Sequence, residues 1–289
     1  MNIILFLNKD LEANIVYNLL KPEFLKHNVR IYYSESIGNN YQKPTELIKL
    51  EYFEKVFTYT SLPLLNEQLE LNSSFEFFSD TFHSFPINPC ANVNSDDFIN
   101  EINSFNPDLF ISVRFGKIFK SEIIRLPPKG LINLHSGILP DYKGIMGTLH
   151  TINNGSTKIG CTLHTITDSG IDTGEIIDIA KVEVNFQKSL FWNIVNLYPA
   201  GVNLIANAIN ELEQGNPLKV HPQDLKKGTY YSLPTESDFN RLKNLGMDSI
   251  TEVDYLEVIA KFIFTDLSDS QIQPLKKAIE LAFINSNQP

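Results

Sequence analysis

Two short segments of this 289-residue sequence carry side chains that could do acyl-transfer chemistry. Asn133 and His135 are two positions apart at the end of a predicted strand, so their side chains project from the same face. Asp172 follows in a loop that contains glycines. An amide donor, an imidazole that titrates near neutral pH and a carboxylate that orients it are a minimal set for attack on a carbonyl. The spacing leaves a second interpretation open, in which a buried Asn and His only hydrogen-bond loop carbonyls.

These side chains need elements that bring them to one edge of a sheet. Short β-rich runs alternate with amphipathic stretches, which is typical of a parallel sheet wound with helices, and ligands bind such sheets at the carboxyl ends of the strands. We predict strands at 2–7, 29–33, 109–113, 131–134, 161–166 and, with a break, 175–184. We predict helices at 9–21, 95–105, 190–212, 251–264 and 270–283. The pattern from 34 to 89 supports no assignment.

Proline and glycine mark the predicted boundaries. Pro22 predicts the end of the first helix, and Pro199 predicts a kink in the helix over 190–212. Gly215-Asn216-Pro217 predicts a domain boundary, and a polar turn is expected at 228–234. We therefore predict an α/β catalytic domain over 1–214, with a Rossmann-like, doubly wound, mostly parallel sheet. A small, mainly helical subdomain is expected over 215–289.

Composition and charge argue against several classes of function. The chain has 24 basic and 34 acidic residues, a formal net charge of -10, and no Lys/Arg-rich block, which disfavours a nucleic-acid partner. The turn after the first strand lacks the glycines of a dinucleotide-binding fingerprint. Two cysteines, short apolar runs and the lack of a recognisable secretion signal predict a cytoplasmic location without a membrane partner.

Three ordered segments resemble the folate-dependent formyltransferase family, which includes glycinamide ribonucleotide, methionyl-tRNA and sugar-amine formyltransferases. Residues 107–118 are similar to the family's central strand and turn. Residues 130–144 contain its Asn-x-His and Leu-Pro-x-Tyr-x-Gly signature, and residues 168–174 contain its Asp-x-Gly-x-Asp-Thr-Gly loop. The resemblance is collinear from about 94 to 177 and implies the fold predicted above.

The resemblance also implies a reaction and a set of site residues. Asn133, His135 and Asp172 match the family's catalytic residues, with 10-formyltetrahydrofolate as cosubstrate, no metal, and a primary amine that attacks the formyl carbon. Asn133 would stabilise the oxyanion, and His135, oriented by Asp172, would stabilise it too or move the amine proton. The cosubstrate-binding residues implied are Arg114, Phe115, Gly116, Lys117, Ile118, Leu139, Pro140, Asp168 and Gly170.

The sequence departs from the family pattern beside the catalytic residues. Ser136-Gly137 stands where many members have Pro-Ser, and Lys143 replaces the usual Arg, which loses the bidentate fork. The side chain of Arg114 has two open roles, a receptor for an anionic group of the acceptor or a member of a structural ion pair. His150, His164 and Cys161 match no zinc spacing with His135, so polar or packing roles are predicted for them.

The resemblance does not determine which molecule accepts the formyl group. A small-molecule amine is favoured, with an amino sugar or sugar nucleotide first. A methionyl-tRNA formyltransferase is the alternative, although that branch carries a basic β-barrel extension and this C-terminal region is helical and mildly acidic. A formyltetrahydrofolate hydrolase and a non-enzymatic folate binder are further alternatives, and a homodimer is left open.

Overall fold

The computed structural model describes residues 1–35 and 43–286, and these residues contain nine strands. The strands are β1 (Asn2–Asn8), β2 (Asn28–Ser34), β3 (Ile87–Pro89), β4 (Leu109–Val113), β5 (Leu131–His135), β6 (Tyr142–Gly144), β7 (Lys158–Thr165), β8 (Ile176–Glu183) and β9 (Thr229–Tyr231). Seven form one sheet in the order β3-β2-β1-β4-β5-β7-β8. The first five of these run parallel, whereas β7 and β8 are each antiparallel to the strand before them.

Helices cover both faces of this sheet. They are α1 (Leu11–Phe24), α2 (Thr45–Glu51), a π-helix (Tyr52–Ser61), α3 (Leu62–Gln68), α4 (Asp96–Ser104), α5 (Ser121–Ile124), α6 (Gly147–Asn153), α7 (Leu190–Glu213), α8 (Glu236–Asn244), α9 (Glu252–Phe262) and α10 (Asp269–Ser286). The smaller core lies under α4 and α5, and the larger lies under α1, α7 and the C-terminal helices. None of the described helices combines the length and apolarity that a bilayer crossing requires.

The sheet order confirms the predicted doubly wound, mostly parallel architecture. The chain builds outward from β1 to β3, returns to β4 beside β1, and continues in the other direction. The two halves diverge between β1 and β4, and the crevice outside the carboxyl ends at such a switch point is where open α/β sheets bind ligands. Because β5 lies next to β4, the ends of β4 and β5 place their following residues at this edge.

Tertiary packing overrides several boundary predictions. The predicted end of the first helix at Pro22 is wrong, because α1 continues to Phe24, which is buried and packs edge-on against Phe85. The long helix matches its prediction closely and runs through Pro199. Within the unassigned region 34–89, residues 36–42 lie outside the described residues, and the rest contains α2, the π-helix, α3 and β3.

The residues after 215 contribute to the same core as the sheet. Tyr255 of α9 is fully buried, and its ring centroid lies 5.0 Å from that of Phe53. The polar turn predicted at 228–234 is wrong in part, because β9 forms there and pairs in parallel with β6. The helices predicted at 251–264 and 270–283 are confirmed as α9 and α10. A boundary at 215 stays a prediction, and residues 287–289 of that subdomain lie outside the described residues.

A buried ion cluster joins four elements at the carboxyl edge. The Arg114 Nε donates to Asp10 Oδ2 at 2.9 Å, and its Nη2 lies 3.5 Å from Glu54 Oε2 and 3.8 Å from Glu12 Oε1. Its Nη1 donates to the Tyr198 hydroxyl at 3.3 Å. These contacts tie the end of β4 to α1, the π-helix and α7. Of the two roles open for this side chain, the geometry favours the structural ion pair.

Two carboxyl groups of this cluster, those of Glu12 and Glu54, have raised pKa values. Burial raises the pKa of Glu12 well above its usual range, and Arg114 only partly offsets this effect. Burial also raises the pKa of Glu54, which Arg114 again opposes. Arg114 is therefore the charge that opposes the effect of burial on the pKa values of Glu12 and Glu54.

Replacement of Arg114 with Met is expected to destabilise the protein by about 3–5 kcal/mol, because it removes one partner of a buried ion pair. Without the guanidinium, the buried carboxyls keep pKa values above those of the unfolded chain. The folded state then binds more protons, so the loss should grow as the pH rises from about 5 to 8.

Urea unfolding of Arg114→Met, with Arg125→Met as an exposed control, measures this effect. The control should stay within about 0.5 kcal/mol of the parent protein. Equal stability of the two variants at pH 8 would show that the cluster does not have this structural role.

Candidate active site

The predicted catalytic residues Asn133, His135 and Asp172 come together at the carboxyl end of β5, and His164 joins them. Asn133 lies directly opposite His164 in the antiparallel register of β5 and β7. Its Nδ2 lies 3.0 Å from His164 Nε2, while His164 Nδ1 lies 2.8 Å from the Thr165 carbonyl oxygen. Since a carbonyl can only accept, Nδ1 carries the proton and Nε2 accepts from Asn133. The second amide hydrogen of Asn133 remains free for another acceptor.

Asp172 places one carboxylate oxygen beside each of the two histidines. Its Oδ1 lies 3.5 Å from His164 Nε2, and its Oδ2 lies 3.5 Å from His135 Nδ1. The Gly144 N–H donates to Oδ2 at 2.7 Å. Asp172 has a left-handed backbone with φ of 55° and is 9% exposed. The loop therefore holds a nearly buried carboxylate in a conformation that Asp tolerates better than most residues.

The contacts of Asp172 keep this carboxylate ionised. Burial would raise its pKa, but the charge of His135 and the hydrogen bond from the Gly144 N–H lower the pKa below its usual value. An ionised Asp172 can stabilise a positive charge that forms on His135. Because His135 Nε2 donates to the Tyr142 carbonyl oxygen, the lone pair of the neutral ring is on Nδ1, and a proton that the ring takes up there would lie between His135 and Asp172.

The position of His135 depends on the absence of a side chain at residue 137. His135 Nε2 donates to the Tyr142 carbonyl oxygen at 2.6 Å. A Cβ on Gly137 would lie 2.5 Å from this Nε2 and 2.7 Å from the same carbonyl oxygen. Both distances are shorter than any ordinary contact. Glycine in place of the family's Ser is therefore the residue that leaves space for the ring.

The C-terminal region supports the loops that carry these groups. β6 pairs with β9, and a Cβ on Gly144 would lie 2.1 Å from the Tyr231 carbonyl oxygen, so the strands approach closely only at glycine. Lys143 Nζ donates to the Lys227 carbonyl oxygen at 3.1 Å. Gln223 Nε2 donates to the carbonyl oxygens of Asp172, at 3.1 Å, and of Gly174. The loop containing Asp172 is thus held by Gln223, which is 51 positions from Asp172 and 49 from Gly174.

Sequence reasoning did not assign His164 and Gln223 to the site. A polar or packing role is all that the sequence predicts for His164. The position of His164 opposite Asn133 depends on the register of β5 and β7. His150 has the predicted packing role, since its ring is stacked on Tyr231 with centroids 3.9 Å apart. Cys161 is fully buried beneath α7.

The residues predicted to bind the cosubstrate lie on two sides of this cluster. Residues 114–117 are half-buried, and Gly116 donates its N–H to Ser34 Oγ at 2.9 Å. Ile118 is exposed, and Asp168 accepts from the Gly170 N–H within an exposed loop that leads to Asp172. Leu139 is buried, with Pro140 after it. Cosubstrate binding by these residues stays a prediction.

Comparison with known proteins supports this description. Residues 68–190 match the family model described as formyl transferase. A methionyl-tRNA formyltransferase of Kosmotoga olearia is 28% identical over 156 residues, which are 54% of this chain and 50% of that protein. The chain thus spans about half the length of the curated relatives it matches.

Two solved structures share the fold over most of their length. A sugar N-formyltransferase from Shewanella sp aligns with a TM-score of 0.51 and 19% identity, covering 92% of this chain and 90% of that chain. The formyltransferase PseJ from Anoxybacillus kamchatkensis, in complex with UDP-4,6-dideoxy-4-formamido-L-AltNAc and tetrahydrofolate, aligns with a TM-score of 0.50 and 22% identity, covering 86% and 95%. The chain thus resembles formyl transferases over residues 68–190 and shares the fold of these two structures.

Proposed function

We propose that the protein transfers the formyl group of 10-formyltetrahydrofolate to a primary amine of a small molecule, with an amino sugar or sugar nucleotide as the favoured acceptor. The observation that carries this proposal is the junction of Asn133, His135 and Asp172 at the carboxyl edge. Folate supplies the formyl group as the electrophile. The amine nitrogen forms a bond to the formyl carbon and loses a proton, while the bond between the formyl carbon and the folate nitrogen breaks and that nitrogen takes up a proton to give tetrahydrofolate.

The side chains of this cluster suit the two requirements of that reaction. The free amide hydrogen of Asn133 can donate to the formyl oxygen as it gains negative charge. His135 can hold the proton that the amine releases, since its Nδ1 faces the ionised Asp172 at 3.5 Å. His164 keeps the Asn133 amide in one orientation and so acts as a positioning residue.

The surroundings of the cluster fit a folate cosubstrate. Residues 114–117 and the exposed loop 168–171 flank the cluster, and Gly170 keeps that loop free of a bulky side chain. A Cβ there would lie 2.3 Å from Thr173 Oγ1, so the turn itself also requires glycine. The PseJ structure contains tetrahydrofolate, which supports the same cosubstrate for this chain.

Charge favours a small acceptor over tRNA. The net charge of -10 disfavours an acceptor whose binding requires several phosphates to be neutralised. The C-terminal helices α8, α9 and α10 complete the core instead of forming a separate β-barrel. Transfer to methionyl-tRNA is the second candidate, because the curated relatives matched by sequence carry that name. A cytoplasmic location and a homodimer stay predictions.

Replacement of His135 with Ala should reduce kcat about 10²–10⁴-fold while folate affinity changes little, because the ring acts on the proton and not on cosubstrate binding. Tetrahydrofolate release measures turnover, and binding of 5-formyltetrahydrofolate measures affinity. His221→Ala, an exposed histidine, is the control. An active His135→Ala enzyme would refute the assigned role.

Replacement of Gly137 with Ala should reduce turnover to a similar extent without removing any ionisable group. The added Cβ would lie 2.5 Å from His135 Nε2, so the ring must move away from the Tyr142 carbonyl oxygen. Gly155→Ala is a control for activity only, because its Cβ would meet no atom within 4 Å, whereas its φ of +79° makes an alanine there strained and should lower stability. Unchanged activity in Gly137→Ala would show that the observed ring position is not the active one.

The acceptor class can be tested by the salt dependence of turnover. Tetrahydrofolate release should accelerate with amino sugars or their nucleotide derivatives, with little change between 50 and 200 mM salt. A tRNA acceptor that contacts 6–10 phosphates would lose about 10³–10⁵ in affinity over this range. Acceleration by initiator methionyl-tRNA alone, with a steep loss in salt, would select the second candidate. Equal, rapid release without acceptor would indicate a hydrolase.

A further inference from the structure

A group of side chains of the types that bind metal ions lies at the amino edge of the sheet, opposite the edge that carries the candidate active site. Glu23 is in the last turn of α1, His27 directly precedes β2, and Glu213 is the last residue of α7. One ring nitrogen of His27 and one oxygen of each carboxylate lie within 4.8 Å of one another. The three residues therefore converge from two helix ends and the turn between α1 and β2.

The imidazole of His27 is incompletely satisfied in this position. Its side chain is 0% exposed, and its Nε2 has no hydrogen-bond partner among the described residues. Nε2 lies 3.9 Å from Glu23 Oε1, and Nδ1 lies 3.6 Å from Glu213 Oε1. A neutral imidazole has one N–H and one lone pair, so one of the two carboxylates faces a lone pair. The Met1 ammonium, 3.4 Å from Nδ1, can donate to a lone pair there, which leaves Nε2 as the ring nitrogen that could bind a metal ion after losing its proton.

We propose that Glu23, His27 and Glu213 form a binding site for a divalent transition metal of the Zn²⁺ type, which would hold the ends of α1 and α7 together. Imidazole nitrogen and carboxylate oxygen are both ordinary zinc ligands, at bond lengths of about 2.0–2.2 Å. A tetrahedral ion with such bonds has ligand atoms about 3.3–3.6 Å apart. One ring nitrogen of His27 and one oxygen of each carboxylate lie within 4.8 Å of one another, so the side chains would close by up to about 1 Å around the ion.

Two cationic groups of the chain face the same residues. Lys26 Nζ lies 3.2 and 3.0 Å from the two carboxylate oxygens of Glu23, and the amino nitrogen of Met1 lies 3.4 Å from His27 Nδ1. The Lys26 side chain is 59% exposed, so it can move into water at little cost. A metal ion would replace Lys26 at Glu23. Removal of the Lys26 amine should consequently strengthen metal binding.

The test uses the full chain without an affinity tag, treated with a chelator and then titrated with ZnCl₂ in a calorimeter. One Zn²⁺ should bind per chain. At a concentration 100 times the Kd, the ion should lower the unfolding equilibrium constant about 100-fold in thermal unfolding. This readout is independent of catalysis, so it does not depend on the proposed function.

Matched variants assign the binding to these residues. Glu213→Gln keeps the size of a side chain that is 35% exposed, and it should weaken binding at least about tenfold. His27→Ala should abolish binding, Lys26→Ala should strengthen it, and His221→Ala, an exposed histidine, should leave it unchanged. Absence of stoichiometric binding by the parent protein, or equal binding by Glu213→Gln, would overturn the proposal even if His27→Ala fails to fold.

Discussion

The carboxyl edge of the sheet depends on the charge of Arg114, which joins β4 to α1, the π-helix and α7. Asp10, Glu12 and Glu54 are buried there, and the guanidinium lies against all three while it reaches Tyr198 on α7. Asp10 also caps α1, with Oδ1 accepting from the Ala13 N–H at 2.9 Å. In a dinucleotide-binding sheet, this helix N-terminus would face a phosphate. Here the chain's own carboxylate occupies that place, which agrees with the absence of a glycine-rich turn.

Local sequence patterns predict the elements that carry the catalytic groups. The apolar run of β4, the strand placement of Asn133 and His135, and the cap at Ser95 are all confirmed, because each depends on neighbouring residues only. The family resemblance adds Asp172 through a glycine-containing loop. Local patterns therefore identify the strand that carries Asn133 and His135 and the loop that carries Asp172 as separate segments.

The contacts between these segments depend on strand pairings and long-range hydrogen bonds that no local pattern encodes. His164 reaches Asn133 because β5 and β7 are antiparallel in one particular register. Gly144 reaches Asp172, and β9 reaches β6, across gaps of 28 and 87 residues. The π-helix that carries Glu54 falls in a stretch without recognisable periodicity, since buried carboxylates interrupt its apolar face. Tertiary contacts decide these features, and sequence spacing does not.

The parallel pairing of β6 with β9 also determines when the site can form during protein synthesis. Asn133, His135 and Asp172 leave the ribosome well before residues 223–231, which hold the Asp172 loop and lie along the signature segment. A nascent chain that ends near residue 214 contains the three predicted catalytic residues but lacks these supports. The contacts that hold the Asp172 loop are therefore completed late in translation, after the ends of β6 and β9 have met.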